Sequence, residues 1–141
     1  LKNIAGVKDA TGDLNRLDQT LKKLGPDFIQ LTGEDGLAFE FNKRGGVGII
    51  SVTANIAPKL CSDFQKFSKS TSDNEIKEAE RIDGLLQPLH KALFIESNPA
   101  PAKYAAKLLS LCSDEVRLPL VKIQESTKEK VKEALLSAKL L

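Results

Sequence analysis

Tryptophan and methionine are absent from the 141 residues, tyrosine and histidine occur once each, and cysteine occurs twice. Aromatics make up only 5%, which leaves no set of stacking platforms for single-stranded nucleic acid. The formal net charge is +2, too near neutral for a nucleic-acid or anionic-membrane partner. No apolar run approaches the ~20 residues that cross a bilayer. Cys61 and Cys112 lie far apart without metal-ligand spacing. Both are expected to be small core residues in a reduced, cytoplasmic compartment. His90, the one histidine, falls within an amphipathic helical stretch with no serine, cysteine or acid motif beside it, so a structural role is expected.

Hydrophobic residues at 41% and charged residues at 28% indicate a folded globular chain. It opens on Leu1 rather than Met and runs at once into Ile4-Ala5-Gly6-Val7, with no signal or transit segment ahead. A piece of a longer protein is expected. Three β-branched-rich runs, Ile4 to Lys8, Phe28 to Thr32 and Val47 to Val52, lack polar alternation and predict parallel strands buried on both faces. A helix follows each. Asp13 caps the first, which runs to about Leu24 and stops at Gly25-Pro26. Glu34 or Asp35 opens the second, which ends near Arg44 before Gly45-Gly46. Ala54 to Lys69 forms the third, with Leu60, Phe64 and Phe67 on one face.

From Ser72 onward only helices are expected. Asp73 begins a long amphipathic stretch that includes Ile76, Ile82, Leu86 and Leu93, kinked at Pro88. Asn98 is expected to cap a helix with Pro99 in its first turn, and Ser126-Thr127-Lys128-Glu129 reads as a capping box. The fold class is therefore α/β with right-handed crossovers, followed by a helical tail. The boundary falls at residues 71 and 72, giving 1–71 and 72–141. Three strands cannot close a barrel, so a barrel reading requires strands from elsewhere.

Lys8 ends the first strand, so its side chain is expected at the C-terminal strand edge, where α/β folds bind ligands. Desolvation favours the neutral, nucleophilic form of an amine, which makes a strand-end lysine among apolar neighbours a candidate nucleophile. A solvated strand-end lysine is the plainer alternative. Thr11-Gly12-Asp13 reads as a turn and cap. Gly33, at the end of the second strand, can admit a close approach. The glycines of Gly45-Gly46-Val47-Gly48 precede their strand. A phosphate cradle normally follows one, so tight helix-to-strand packing is the better reading. Ile50 and Ser51 lie where a backbone carbonyl can face a ligand.

Four segments together resemble the dihydrodipicolinate synthases, pyruvate-dependent class I aldolases. They are Gly6-Val7-Lys8-Asp9-Ala10-Thr11-Gly12-Asp13, Thr32-Gly33-Glu34-Asp35, Gly45 to Asn55, and Phe94-Ile95-Glu96-Ser97-Asn98-Pro99-Ala100-Pro101-Ala102-Lys103. The resemblance covers essentially the whole chain. The lysine segment alone also fits sister aldolases such as N-acetylneuraminate lyase, and the last strand and Asn-Pro-x-Pro favour the synthase. The resemblance implies the C-terminal part of a (β/α)8 barrel with a C-terminal helical domain, in a cytoplasmic homo-oligomer, a tetramer. It implies that Lys8 forms an imine with pyruvate, whose enamine attacks L-aspartate 4-semialdehyde in lysine and diaminopimelate biosynthesis. It implies that the Ile50 carbonyl and Gly33 line the substrate site, and that no cofactor or metal is required. The family's relay tyrosines and threonine, its carboxylate-gripping arginine and its lysine-feedback site have no counterpart here. Tyr104, in the tail, cannot replace them. The chain alone is therefore expected to be inactive, needing the missing N-terminal half of the barrel. A non-catalytic fragment is the alternative.

Overall fold

A computed structural model describes residues 2–141. Its sheet has three parallel strands in the order β1 (Gly6–Asp9), β2 (Ile29–Thr32) and β3 (Gly48–Ile49). Six helices follow or separate them: α1 (Leu14–Leu24), α2 (Ala38–Lys43), α3 (Pro58–Phe67), α4 (Asp73–Ala92), α5 (Ala100–Leu108) and α6 (Glu125–Ser137). This is the α/β alternation expected for a segment of a (β/α)8 barrel, with a helical tail after it.

The register aligns Lys8 with Leu31, and Leu31 with Gly48. Side chains alternate along a strand, so Lys8, Leu31 and Gly48 share one face, and Asp9, Thr32 and Ile49 the other. α1 covers the second face, where the Gln30 amide donates to the Leu17 carbonyl at 3.3 Å. The first face is open: Ile4, Ile29 and Ile50 are 53%, 46% and 50% exposed. The expectation of strands buried on both faces is thus corrected. Helices of this chain cover one face, and among the described residues nothing covers the other.

The strands are also shorter than expected, β3 most of all. Its ladder pairs with β2 alone, and beyond Ile50 the chain turns into a 3₁₀ segment, Thr53–Asn55. A side chain, not a strand, takes the Val52 N–H. The third helix starts at Pro58 rather than Ala54, because the residue before a proline is pushed out of helical geometry. Ala57 sits there at φ −127° and ψ 56°. The second predicted helix splits into a 3₁₀ turn, Asp35–Leu37, and α2. α1 matches its expectation: Asp13 accepts from the Asn15 N–H at 2.9 Å, and Gly25 ends the helix.

In the tail, α4 begins at Asp73 and continues through Pro88. Two predicted caps are corrected. Pro99, not Asn98, precedes α5, and no side chain caps it. α6 begins at Glu125, ahead of the predicted box, so Ser126 and Thr127 lie inside its first turn. The Glu96 carboxylate accepts from the Gln124 N–H at 3.0 Å and fixes the entry to α6 from 28 residues away. That bond outweighs the local pattern. Cys112 is exposed, contrary to expectation, in the irregular stretch after α5. Cys61 is buried, and desolvation pushes its thiol up to about 11.

One core joins both portions of the chain. Ala38, Ile56 and Phe64 from the strand-bearing part pack with Ile82, Leu86, Leu89, Leu93, Ala105, Val131 and Leu135 from the tail. α4 lies between α3 and α6 and contributes more of this cluster than any other element.

Candidate active site

The site begins with strand alternation. Gly33 continues β2, its N–H donating to the Asp9 carbonyl at 2.7 Å. Ile50 continues β3, its N–H donating to the Thr32 carbonyl at 2.9 Å. Counting in twos from the register, Lys8, Gly33 and Ile50 all fall on the open face, at the C-terminal edge of the sheet. The structure thus brings together the three residues singled out in the sequence.

Their closest relation is between Lys8 and Gly33. A Cβ placed on Gly33 would stand 2.5 Å from Lys8 Cε, 2.8 Å from Ala10 Cβ and 3.4 Å from Lys8 Nζ. The hydrogen of Gly33 is therefore what leaves room for the lysine side chain. Gly46 has a different task. A Cβ there would fall 2.1 Å from the Phe41 ring, which fits the tight helix-to-strand packing read from Gly45-Gly46.

Asp9 follows Lys8 and points to the opposite face. Its carboxylate accepts from the Thr11 N–H at 2.8 Å, from the Thr11 hydroxyl, and from Arg16 Nε at 2.6 Å. The Thr11 hydroxyl and then the Arg16 guanidinium hold this carboxyl at about 2. The Thr11-Gly12-Asp13 turn thus anchors Asp9 and caps α1, as the turn reading predicts.

Behind the strand ends lies a buried polar network. Asp35 is 2% exposed. Its carboxylate accepts from the Ser51 hydroxyl and from the Val52 N–H at 3.0 Å. Ser51 Oγ in turn accepts from the Ala54 N–H at 2.8 Å. Thr53 Oγ1 and His90 Nδ1 share a hydrogen bond of 2.7 Å, and that ring nitrogen lies 3.9 Å from Asp35. Burial lowers the His90 pKa more than the neighbouring Asp35, Asp83 and Glu34 charges raise it. The ring is therefore neutral near pH 7, and its approach to Asp35 is not an ion pair. Gln87 on α4 donates to the Gly36 carbonyl at 3.1 Å and to Asp83.

Sequence reading missed most of this network. Asp35 looked like a helix opener. It does start the 3₁₀ turn, but its carboxylate crosses to the segment after β3 instead of capping. Only the placement of His90 in a structural role was foreseen. Tyr104 lies on α5, with Lys128 Nζ 5.8 Å from its ring centre.

A parallel α/β sheet with a lysine and a glycine recess on its open C-terminal edge defines the class, a segment of an α/β barrel with an amine at its ligand-binding end. A sequence model of the dihydrodipicolinate synthetase family matches residues 1–138. The chain belongs to the dihydrodipicolinate synthetase family. It is 68% identical over all 141 residues to the 4-hydroxy-tetrahydrodipicolinate synthase of Pelagibacter ubique (strain HTCC1062), covering 48% of that protein. Its fold matches that of the 4-hydroxy-tetrahydrodipicolinate synthase from Methylacidiphilum fumariolicum SolV, with a TM-score of 0.91 at 35% identity over 99% of this chain and 45% of that one. It also matches the chloride-inhibited dihydrodipicolinate synthase from Acinetobacter baumannii complexed with pyruvate, with a TM-score of 0.90 at 36% identity, covering 99% and 47% respectively. The chain thus spans about half the length of the relatives it matches.

Proposed function

We propose that this chain forms the lysine-bearing portion of a 4-hydroxy-tetrahydrodipicolinate synthase. In that reading Lys8 bonds to pyruvate, and the resulting enamine attacks L-aspartate 4-semialdehyde. The observation that carries it is the seating of the Lys8 side chain against Gly33 on the open strand edge.

The chemistry follows from a primary amine in that position. Lys8 Nζ adds to the C2 carbonyl of pyruvate, and loss of water gives an iminium. The cationic nitrogen draws electrons from C3, so a methyl proton leaves and an enamine forms. C3 then attacks the aldehyde carbon of the semialdehyde. The new oxyanion takes up a proton. The semialdehyde's amino group then closes the ring onto C2 and expels Lys8, which regains its amine. Gly33 and the Ile50 carbonyl line the pyruvate position in this reading. The proton transfers fall to the remaining half of the complete enzyme.

The same proposal takes residues 1–71 as barrel and 72–141 as a C-terminal helical domain, in a cytoplasmic tetramer. Among the described residues, no helix is long and apolar enough to cross a membrane. Incubating the complete enzyme with pyruvate and borohydride, then mapping the modified peptide, tests the central step. Reduction is expected to fix the adduct on Lys8. An adduct on another lysine with Lys8 unmodified overturns the assignment.

A further inference from the structure

A carboxylate that is 2% exposed, with no cationic partner among the described residues, is costly to bury. Asp35 has such a position. Its partners are the Ser51 hydroxyl and the Val52 N–H, one and two residues beyond Ile50. Asp35 itself is two residues beyond Gly33. The carboxylate therefore ties the turn after β2 to the segment after β3, just behind the two residues expected to line the pyruvate position.

The tie is reinforced on its far side. Ser51 Oγ donates to Asp35 and accepts from the Ala54 N–H, so the hydroxyl has a fixed direction at both ends. Thr53 is fully buried and bonded to His90 on α4. Ile50 is held by its N–H on the Thr32 carbonyl. The peptide between Ile50 and Ser51 is thus clamped by a ladder bond before it and by the Asp35 carboxylate after it. Pairing with β2 stops at Ile49, so among the described residues no further ladder holds that peptide.

We infer that Asp35 is a positioning residue that fixes the Ile50–Ser51 peptide, and with it the Ile50 carbonyl that orders pyruvate beside Lys8. The inference rests on the pyruvate reading above. Asp35 touches no substrate in this arrangement. It acts through Ser51 and Val52, and its effect belongs to pyruvate binding and imine formation rather than to fold stability alone.

The experiment compares Asp35→Asn, Asp35→Ala and Ser51→Ala in the complete enzyme with Leu89→Ala, a core substitution far from the strand edge in sequence and outside the network. Active sites are counted by the pyruvate that borohydride fixes, and KM and kcat are measured per fixed site. Ser51→Ala is the milder variant and keeps the test readable where Asp35→Ala does not fold. It is expected to raise the pyruvate KM by about 3- to 10-fold, and Asp35→Ala by about 10- to 100-fold. Asp35→Asn retains an acceptor for the Val52 N–H and is expected to fall between the unsubstituted enzyme and Asp35→Ala. Leu89→Ala lowers the melting temperature and leaves the pyruvate KM within about 2-fold. A pyruvate KM per fixed site that stays within about 2-fold in both Asp35→Asn and Ser51→Ala overturns the positioning role while the pyruvate reading stands. Failure of the unsubstituted enzyme to fix pyruvate at all overturns both.

Discussion

Gly33→Ala converts the contact between the lysine and its glycine into a measurable displacement. The added methyl would lie 2.5 Å from Lys8 Cε and 2.8 Å from Ala10 Cβ, whereas carbon atoms in contact prefer about 3.5–4.0 Å. Lys8 Cε must therefore retreat by at least about 1 Å, which a flexible side chain does at little cost in stability. Ala10 Cβ is fixed to backbone and can only move with the strand end, so overpacking of about 1–3 kcal/mol is expected there. A displacement of about 1 Å at a reacting atom can cost about 100-fold in rate, equivalent to about 2.7 kcal/mol of barrier. In the complete enzyme, kcat/KM for pyruvate should fall between about 30- and 300-fold, with a drop in melting temperature of a few degrees.

Gly12→Ala is the matched control. Gly12 has φ +73°, and a Cβ there would meet Leu37 Cδ1 at an ordinary 3.9 Å, so alanine there strains the backbone without touching Lys8. Gly33 is not in the left-handed region, so strain of that kind cannot explain its effect. The assay is semialdehyde consumption over a pyruvate series, with the borohydride-fixed fraction measured by mass. A Gly33→Ala enzyme within about 3-fold of the unsubstituted one would refute the claim that this glycine makes room for the catalytic amine.

The remaining predictions follow from other parts of the fold. Leu89→Ala empties a wholly buried site at the centre of the core and should cost about 2–5 kcal/mol in denaturant unfolding. Burial lowers the folded pKa of His90 from its ordinary value of 6.5, so the unfolded chain binds that proton first. The stability due to His90 is complete above about pH 6.5 and is lost as pH falls through the lowered folded value. Urea titrations from pH 7.5 downward should show this slope, and His90→Gln should flatten it. Between acceptors, the complete enzyme should prefer aspartate semialdehyde to N-acetylmannosamine in kcat/KM. The reverse preference would favour the lyase reading. Residues 1–141 made alone should show no measurable turnover, because β1 offers an apolar, unpaired edge and the Lys8 face has no opposing wall. Turnover near that of the complete enzyme would contradict this.

Legibility in the sequence tracked the range of the interactions involved. The ends of α1 were readable because Asp13 bonds two residues away and Gly25 acts in place. The shared placement of Lys8, Gly33 and Ile50 at one sheet edge was readable because it follows from strand alternation. What could not be read was set by bonds that span many residues. β3 ends at Ile49, and shortly beyond it the Val52 N–H goes to Asp35, 17 residues distant. α6 starts ahead of its capping box, next to Gln124, whose N–H goes to Glu96 28 residues away. Cys112 looks like core from its chemistry, and only the path of the chain after α5 exposes it. Asp35 reads locally as a helix opener, and it does begin the 3₁₀ turn. The carboxylate's partners lie on a different strand segment, so neither composition nor periodicity could name them.

The two faces of the sheet explain why anchors and candidate catalytic residues alternate. Lys8 is followed by Asp9, whose carboxylate is held by Thr11 and Arg16. Gly33 is preceded by buried Thr32, whose hydroxyl takes the Glu34 N–H at 3.0 Å. Ile50 is followed by Ser51, held by Asp35. In each strand the residue on the open face has a neighbour on the helix side with a polar group bonded at fixed distance. A strand has period two, so this pairing needs no more than one residue step to place a reactive group outward and its anchor inward. The same periodicity makes the arrangement brittle. A one-residue slip of β1 would send Lys8 toward the helices and Asp9 onto the open face. It would bury an amine without a partner and remove from the open edge the amine proposed as its nucleophile. The helix-side bonds of Asp9, Thr32 and Ser51 therefore help to fix which side of the sheet carries Lys8, Gly33 and Ile50.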